Sequence, residues 1–281
     1  MEVWYWLVSW LPFEWAAADS MYFMKNALLA VFVVTPLFGL LSTMVVESRM
    51  AFFSDALGHS AFTGMAIGAI CGLAEPVAGA VIFAVIIAFL FTVVRQRTAM
   101  ASDTAISVFS SAAVALGIFI STLGGQSFTK FNNLLIGDIL SVTPGEIGLL
   151  AIILLLLLIL WVTSFNQMML TAVHQALADS RGIRVFWKNF LFTAAIAVVV
   201  TITMTWVGLL VINALIVLPG AAARNIARNL PQYHLISVLG GLVCGVAGLM
   251  VSYHLGASTG ASITVLLALW FFVTLLFKGK H

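Results

Sequence analysis

Charged side chains make up only 8% of the 281 residues, 12 Lys+Arg against 10 Asp+Glu, leaving a formal charge of +2. A water-soluble domain carries about a quarter of its residues charged, and here the few charges are bunched between long uncharged stretches, so a soluble globular fold is excluded. Nucleic-acid binding falls with it, because neutralising phosphates needs a basic stripe. The densest basic cluster is Arg181, Arg184 and Lys188 beside Asp179. Cysteine is as scarce. Two residues, Cys71 and Cys244, make neither a disulfide framework nor a four-thiolate metal site, and both lie in apolar stretches and read as packing residues. No H-E-x-x-H and no G-x-x-x-x-G-K-[ST] occurs, which excludes a zincin-type protease and an ATPase site in this chain. The N-terminus lacks the basic flank of a secretory signal. Trp4, Trp6, Trp10 and Trp15 instead mark residues 1–20 as a Trp-rich segment suited to the membrane interface.

The composition is 63% hydrophobic, and a helix needs about 20 mostly apolar residues to cross the hydrocarbon. On that criterion spans fall near residues 26–46, 52–74, 76–94, 104–123, 147–165, 189–205, 207–222, 234–254 and 260–277. The chain reads as an all-α polytopic membrane protein of about nine helices, or eight if residues 189–223 form one broken span; we place the break near Trp206 and Gly208. Arg49, Arg95 with Arg97, Arg181 with Arg184 and Lys188, Arg224 with Arg228, and Lys278 with Lys280 fall in alternate loops. The other loops carry only Lys130. By the positive-inside rule the N-terminus is outside and the C-terminus inside. Residues 21–281 form a single transmembrane domain.

An ionisable group inside a span is costly and marks a functional candidate. In Ser54-Asp55-Ala56-Leu57-Gly58-His59-Ser60, Asp55 and His59 are four apart, so a helix sets carboxylate and imidazole on one face. Thr63 extends that stripe. Beside it runs Ser60, Gly64, Gly68 and Gly72, a small-xxx-small ridge that lets another helix approach closely. Were that helix its own counterpart in a second copy, two Asp and two His would converge on an axis, a donor set suited to Mn²⁺, Fe²⁺ or Zn²⁺. The bland alternative is that Asp55 and His59 satisfy each other near the cytoplasmic interface. Gly58-His59-Ser60-Ala61 also fits the weak G-x-S-x pattern of intramembrane serine proteases, with His254 as the base. Leu170–Arg184 reads as a short amphipathic cytoplasmic helix stopping at Gly182.

Four ordered blocks resemble the ABC-3 permeases, the membrane subunits of bacterial zinc, manganese and iron(II) importers. Arg49–Gly64 resembles the signature of the second helix, and Ser102-Asp103-Thr104-Ala105-Ile106 the D-T-A-I start of the fourth. Ile136–Val142 resembles the F-G-D-I-L-x-V turn, and Val207–Arg224 the V-G-x-L-L-x-x-A-L-L-V-x-P-A-A-x-A-R block. The resemblance implies a bacterial inner-membrane permease working as a dimer with a second copy or a paralogue, together with a cytoplasmic ATP-binding subunit and an extracytoplasmic metal-binding protein. It implies that Asp55 and His59 lie on the metal path, and that Gln175, Ala178 and Gly182 belong to an ATPase-coupling helix within 170–184. The metal is cargo and ATP sits on the partner, so no permanently bound cofactor and no catalytic residue is expected. Ser252–Gly260 departs from the family's S-Y-x-x-D-x-P-x-G. Its acid and proline are missing and His254 stands nearby, first as a structural or interfacial residue and second as an outer contact for the ion. A gradient-driven metal transporter is the nearest alternative, ahead of a protease using Ser60.

Overall fold

A computed structural model describes residues 2–10, 15, 21–73, 75–98, 100–123 and 138–277. Lys130, Lys278, Lys280, Ile136 and Gly137 of the turn motif, and positions 11–14 and 16–20 of the N-terminal segment lie outside the described residues. The elements are helical throughout: α1 (Glu2–Ser9), α2 (Tyr22–Glu47), α3 (Phe53–Ile70), α4 (Pro76–Arg97), α5 (Ser102–Leu123), a 3₁₀ turn (Ile139–Ser141), α6 (Pro144–Val173), α7 (Gln175–Ser180), α8 (Val185–Val207), α9 (Leu209–Ile226), α10 (Leu230–Leu255) and α11 (Thr259–Leu276).

Eight of these helices are long and apolar enough to cross a membrane. The remaining long helix, α3, has 18 residues and falls short on apolarity, because it carries Asp55 and His59. The 35-residue uncharged run does divide in two. Gly208, at φ 94°, separates α8 from α9 with a backbone conformation that side chains disfavour. Local chemistry sets the other ends. Thr143 and Glu146 form a capping box on α6, with the Thr143 N–H donating to Glu146 Oε2 at 2.7 Å. Asn229 caps α10 by accepting from the Gln232 N–H at 2.9 Å.

The long helix α2 is central and packs against α6, α9 and α10. Contact there is close enough for backbone and hydroxyl groups to bond across helices. Ser237 Oγ donates to the Gly39 carbonyl at 2.7 Å. Ser42 accepts from the Gly220 N–H at 2.7 Å and donates to the Val217 carbonyl at 3.3 Å, beside Pro219, whose missing N–H interrupts the helix ladder. On the other side α3 lies between α4 and α5, with α8 and α9 against it.

Two expectations from the sequence need correcting. Of the tryptophans, Trp6 and Trp10 are exposed, whereas Trp15 is buried with Val8, Met24, Ala27, Leu28 and Leu249. Trp4 Nε1 donates to the Lys25 carbonyl at 2.9 Å, so this segment packs on the bundle as well as facing outward. Cys71 is exposed while Cys244 is buried. The reason is that α3 ends at Ile70 and the chain turns at Gly72, φ 73°, leaving Cys71 at the helix cap. With that cap on the extracytoplasmic side, a membrane-impermeant maleimide added to right-side-out vesicles labels Cys71 and spares Cys244. Labelling of Cys71 only after permeabilisation would reverse the orientation.

Candidate functional site

The turn that delivers α3 is held at the cytoplasmic end. Arg49 takes φ 54°, and the Arg95 guanidinium of α4 donates to the Ser48 carbonyl at 3.0 Å. Asp55 and His59 follow within two turns. Their side chains are 48% and 40% exposed within the single chain, with His59 Nε2 3.6 Å from Asp55 Oδ2. That separation is too long for a hydrogen bond. Metal bonds of about 2.1 Å place two donors about 3.0 Å apart at a right angle and about 3.4 Å apart at a tetrahedral one, so a small closure lets one ion take both.

His59 lines a cavity of about 760 Å³ with Phe62, Val114, Asp138 to Leu140, Val207 to Val211 and Gly256 to Gly260. These segments are where α8 meets α9 and α10 meets α11, together with the 3₁₀ turn. Asp55 sits one turn nearer the start of α3, where Asn213 Nδ2 of α9 donates to its Oδ1 at 3.3 Å. No three His, Cys, Asp or Glu side chains among the described residues are grouped so as to hold a metal ion. Asp55 and His59 alone would leave the shell of an ion bound there to be completed by water or by another chain.

The neighbouring stripe has a different use from the one the sequence suggested. A Cβ on Gly64 would stand 2.6 Å from the Gly79 carbonyl oxygen and 2.7 Å from Ala80 Cα, and one on Gly68 would stand 3.3 Å from Gly79 Cα. The ridge thus seats α4 of the same chain and is not free for a second copy. Gly72 lies past the helix end with open space around its Cα, and Ser60 is buried with Oγ donating to the Ala56 carbonyl at 2.7 Å. Thr63 leaves the polar stripe, being buried with its hydroxyl donating to the Ala113 carbonyl of α5. His254 is exposed at the end of α10, its ring against Tyr253, and it does not line the cavity.

Residues 20–278 match the ABC 3 transport family. The chain belongs to that family. An uncharacterized membrane protein of Synechocystis sp. is 31% identical over 257 residues, covering 91% of each chain. The manganese import system permease protein ScaB of Streptococcus gordonii is 28% identical over 260 residues, 92% of this chain and 93% of its own. The solved PsaBC from Streptococcus pneumoniae superposes with a TM-score of 0.76 at 26% identity, covering 98% of this chain and 95% of that one. The molecule is a multi-pass ABC 3 permease of the cytoplasmic membrane.

In this ABC 3 permease α6 ends at Val173, and α7 follows after the shared cap residue His174. Gln175 and Gly182 are exposed, the latter at φ 72°. Ala178 is fully buried, because its side chain faces the chain's own bundle, and Leu177 is the exposed apolar residue beside it. Two residues near the ion pair escaped the sequence reading. Asn213 was discoverable as the amide in the interior of the uncharged run, away from Asn189 at its start. Asp138 lines the same cavity as His59 and accepts from the Leu140 N–H at 3.0 Å.

The ridge geometry is checkable. Gly64→Ala overpacks α3 against α4 and costs about 1–3 kcal/mol, lowering the thermal midpoint of the detergent-solubilised protein. Gly148→Ala, with nothing within 4 Å, leaves that midpoint in place or raises it, since alanine is the better helix former; equal midpoints for the two variants would contradict the packing.

Proposed function

We propose that this chain is the permease subunit of an ATP-driven importer of divalent transition metals, with Mn²⁺ as the principal cargo and Asp55 and His59 as the ligands it meets on its path. The observation that carries the reading is the half-exposed Asp55–His59 pair, set 3.6 Å apart, with His59 lining a cavity of about 760 Å³. Manganese is favoured over Zn²⁺ and Fe²⁺ by the relatives named for manganese import, while the oxygen and imidazole donors suit all three ions alike.

In this reading an extracytoplasmic metal-binding protein delivers the ion to the cavity. The neutral His59 imidazole and the Asp55 carboxylate replace part of its water shell. The matching pair of a second copy or paralogue, or retained water, completes the coordination. On the cytoplasmic side a separate ATP-binding subunit grips α7 through Gln175, Leu177 and the Gly182 turn. Because α7 joins α6 to α8, and α8 packs on α3 and α4, closure of the ATPases tilts the walls around the pair. The pair then faces inward, the two-state switch that alternating access requires. Two ligands per chain keep binding weak enough for release.

A strain lacking its own manganese importers and expressing the complete transporter tests this through uptake of radioactive Mn²⁺. Asp55→Ala and His59→Ala each lower uptake at least about tenfold with normal assembly. Wild-type uptake falls as external pH drops from about 7.5 to about 5.5, because imidazole, with an ordinary pKa of about 6.5, must be neutral to ligate. Full uptake by Asp55→Ala removes the assignment. Uptake that persists without ATP and collapses with an uncoupler identifies a gradient-driven transporter instead.

A further inference from the structure

We propose that Asn213 is a positioning residue of the ion path, holding the Asp55 carboxylate by Oδ1 so that Oδ2 stays turned toward His59 and the ion. The inference rests on the reading of Asp55 and His59 as ion ligands. It starts from an amide in an improbable place: Asn213 lies between Ile212 and Ala214 in α9, within the 35-residue uncharged run. Its position is one that the V-G-x-L-L-x-x-A pattern leaves open.

Stability does not account for that amide. Its Nδ2 donates to Asp55 Oδ1 at 3.3 Å across the α3–α9 contact, while its own Oδ1 is buried with no hydrogen-bond partner among the described residues. A half-satisfied amide in a membrane bundle weakens the fold, and an apolar side chain of the same volume would pack there without the penalty. The orientation is dictated by the neighbour, since the flipped amide would set two oxygens against each other. What the side chain accomplishes is done on Asp55.

A carboxylate rotates about a broad, nearly two-fold torsion, so without a donor both oxygens of Asp55 sample both directions. One hydrogen bond to Oδ1 removes that freedom and leaves Oδ2 at 3.6 Å from His59 Nε2. This is how partners that orient metal ligands act, and their loss weakens metal binding about tenfold to a hundredfold. The bond also joins α3 to α9, so movement between those helices reaches Asp55 directly.

The test is titration of the purified, full-length transporter in detergent with Mn²⁺ alone, read from the loss of the free-ion electron paramagnetic resonance signal. Asn213→Leu and Asn213→Ser, neither able to donate to Asp55 Oδ1, each weaken binding about tenfold. Asn213→Gln, which keeps the donor, recovers to within about threefold of wild type, a rescue that a purely structural role does not produce. Size-exclusion profiles and thermal midpoints identify any variant that misfolds, and the serine and leucine variants differ enough in volume for one to report if the other fails. Wild-type affinity in either folded variant overturns the proposal. Asp55→Ala in the same titration separates the two levels: if it too binds Mn²⁺ as wild type, the ion-path reading has failed, whereas loss in Asp55→Ala with no loss in the Asn213 variants refutes the positioning role alone.

Discussion

The structure depends on keeping one carboxylate in a helix that must cross lipid. An ionisable side chain inside a span is costly, and α3 carries Asp55 in its first turn and His59 four residues on, leaving it, among the described long helices, the one without enough apolarity to insert on hydropathy. Its place is secured by neighbours. Gly64 and Gly68 bring the α4 backbone into contact, Gly117 of α5 abuts Phe62 and Thr63, and Leu209 of α9 covers Gly58. A helix that lipid would tolerate poorly is thereby enclosed on most sides, with the Asp55–His59 face left open.

The same closeness decides how polar groups inside the bundle are satisfied. Hydroxyls of Ser42, Ser237 and Thr63 bond to backbone groups of neighbouring helices, so helix positions are registered by directional bonds as well as by packing. Thr92 and Thr193 join α4 to α8 in the same way at 2.9 Å. Interfaces of this kind are bistable and resist continuous deformation, which is what the proposed coupling from α7 through α8 to α3 requires.

Much of the fold was legible because hydropathy and charge placement are one-dimensional signals. The nine long helices among the described residues lie where the apolar runs put them, and the break at Gly208 followed from a run too long for one helix. The Asp55–His59 pair was visible for a similar reason, since ionisable residues four apart in a span stand out locally. What was hidden involves partners distant in sequence. Spacing shows that Gly64 and Gly68 make a ridge but not that α4 fills it. Nor does spacing reveal that Thr63 turns to Ala113, that Ala178 faces inward, or that Asn213, 158 positions from Asp55, meets it. Cys71 misled because an apolar stretch hides where a helix stops, and Gly72 stops this one.

The most direct measurement is the identity of the atoms around the ion. Mn²⁺ bound to the purified transporter can be interrogated by electron spin echo envelope modulation, which detects nitrogen of a coordinating imidazole. The account predicts nitrogen coupling in the wild type that disappears in His59→Gln while the protein remains assembled. Coupling that survives that substitution unchanged, or a wild-type ion surrounded by water oxygens alone, would contradict it.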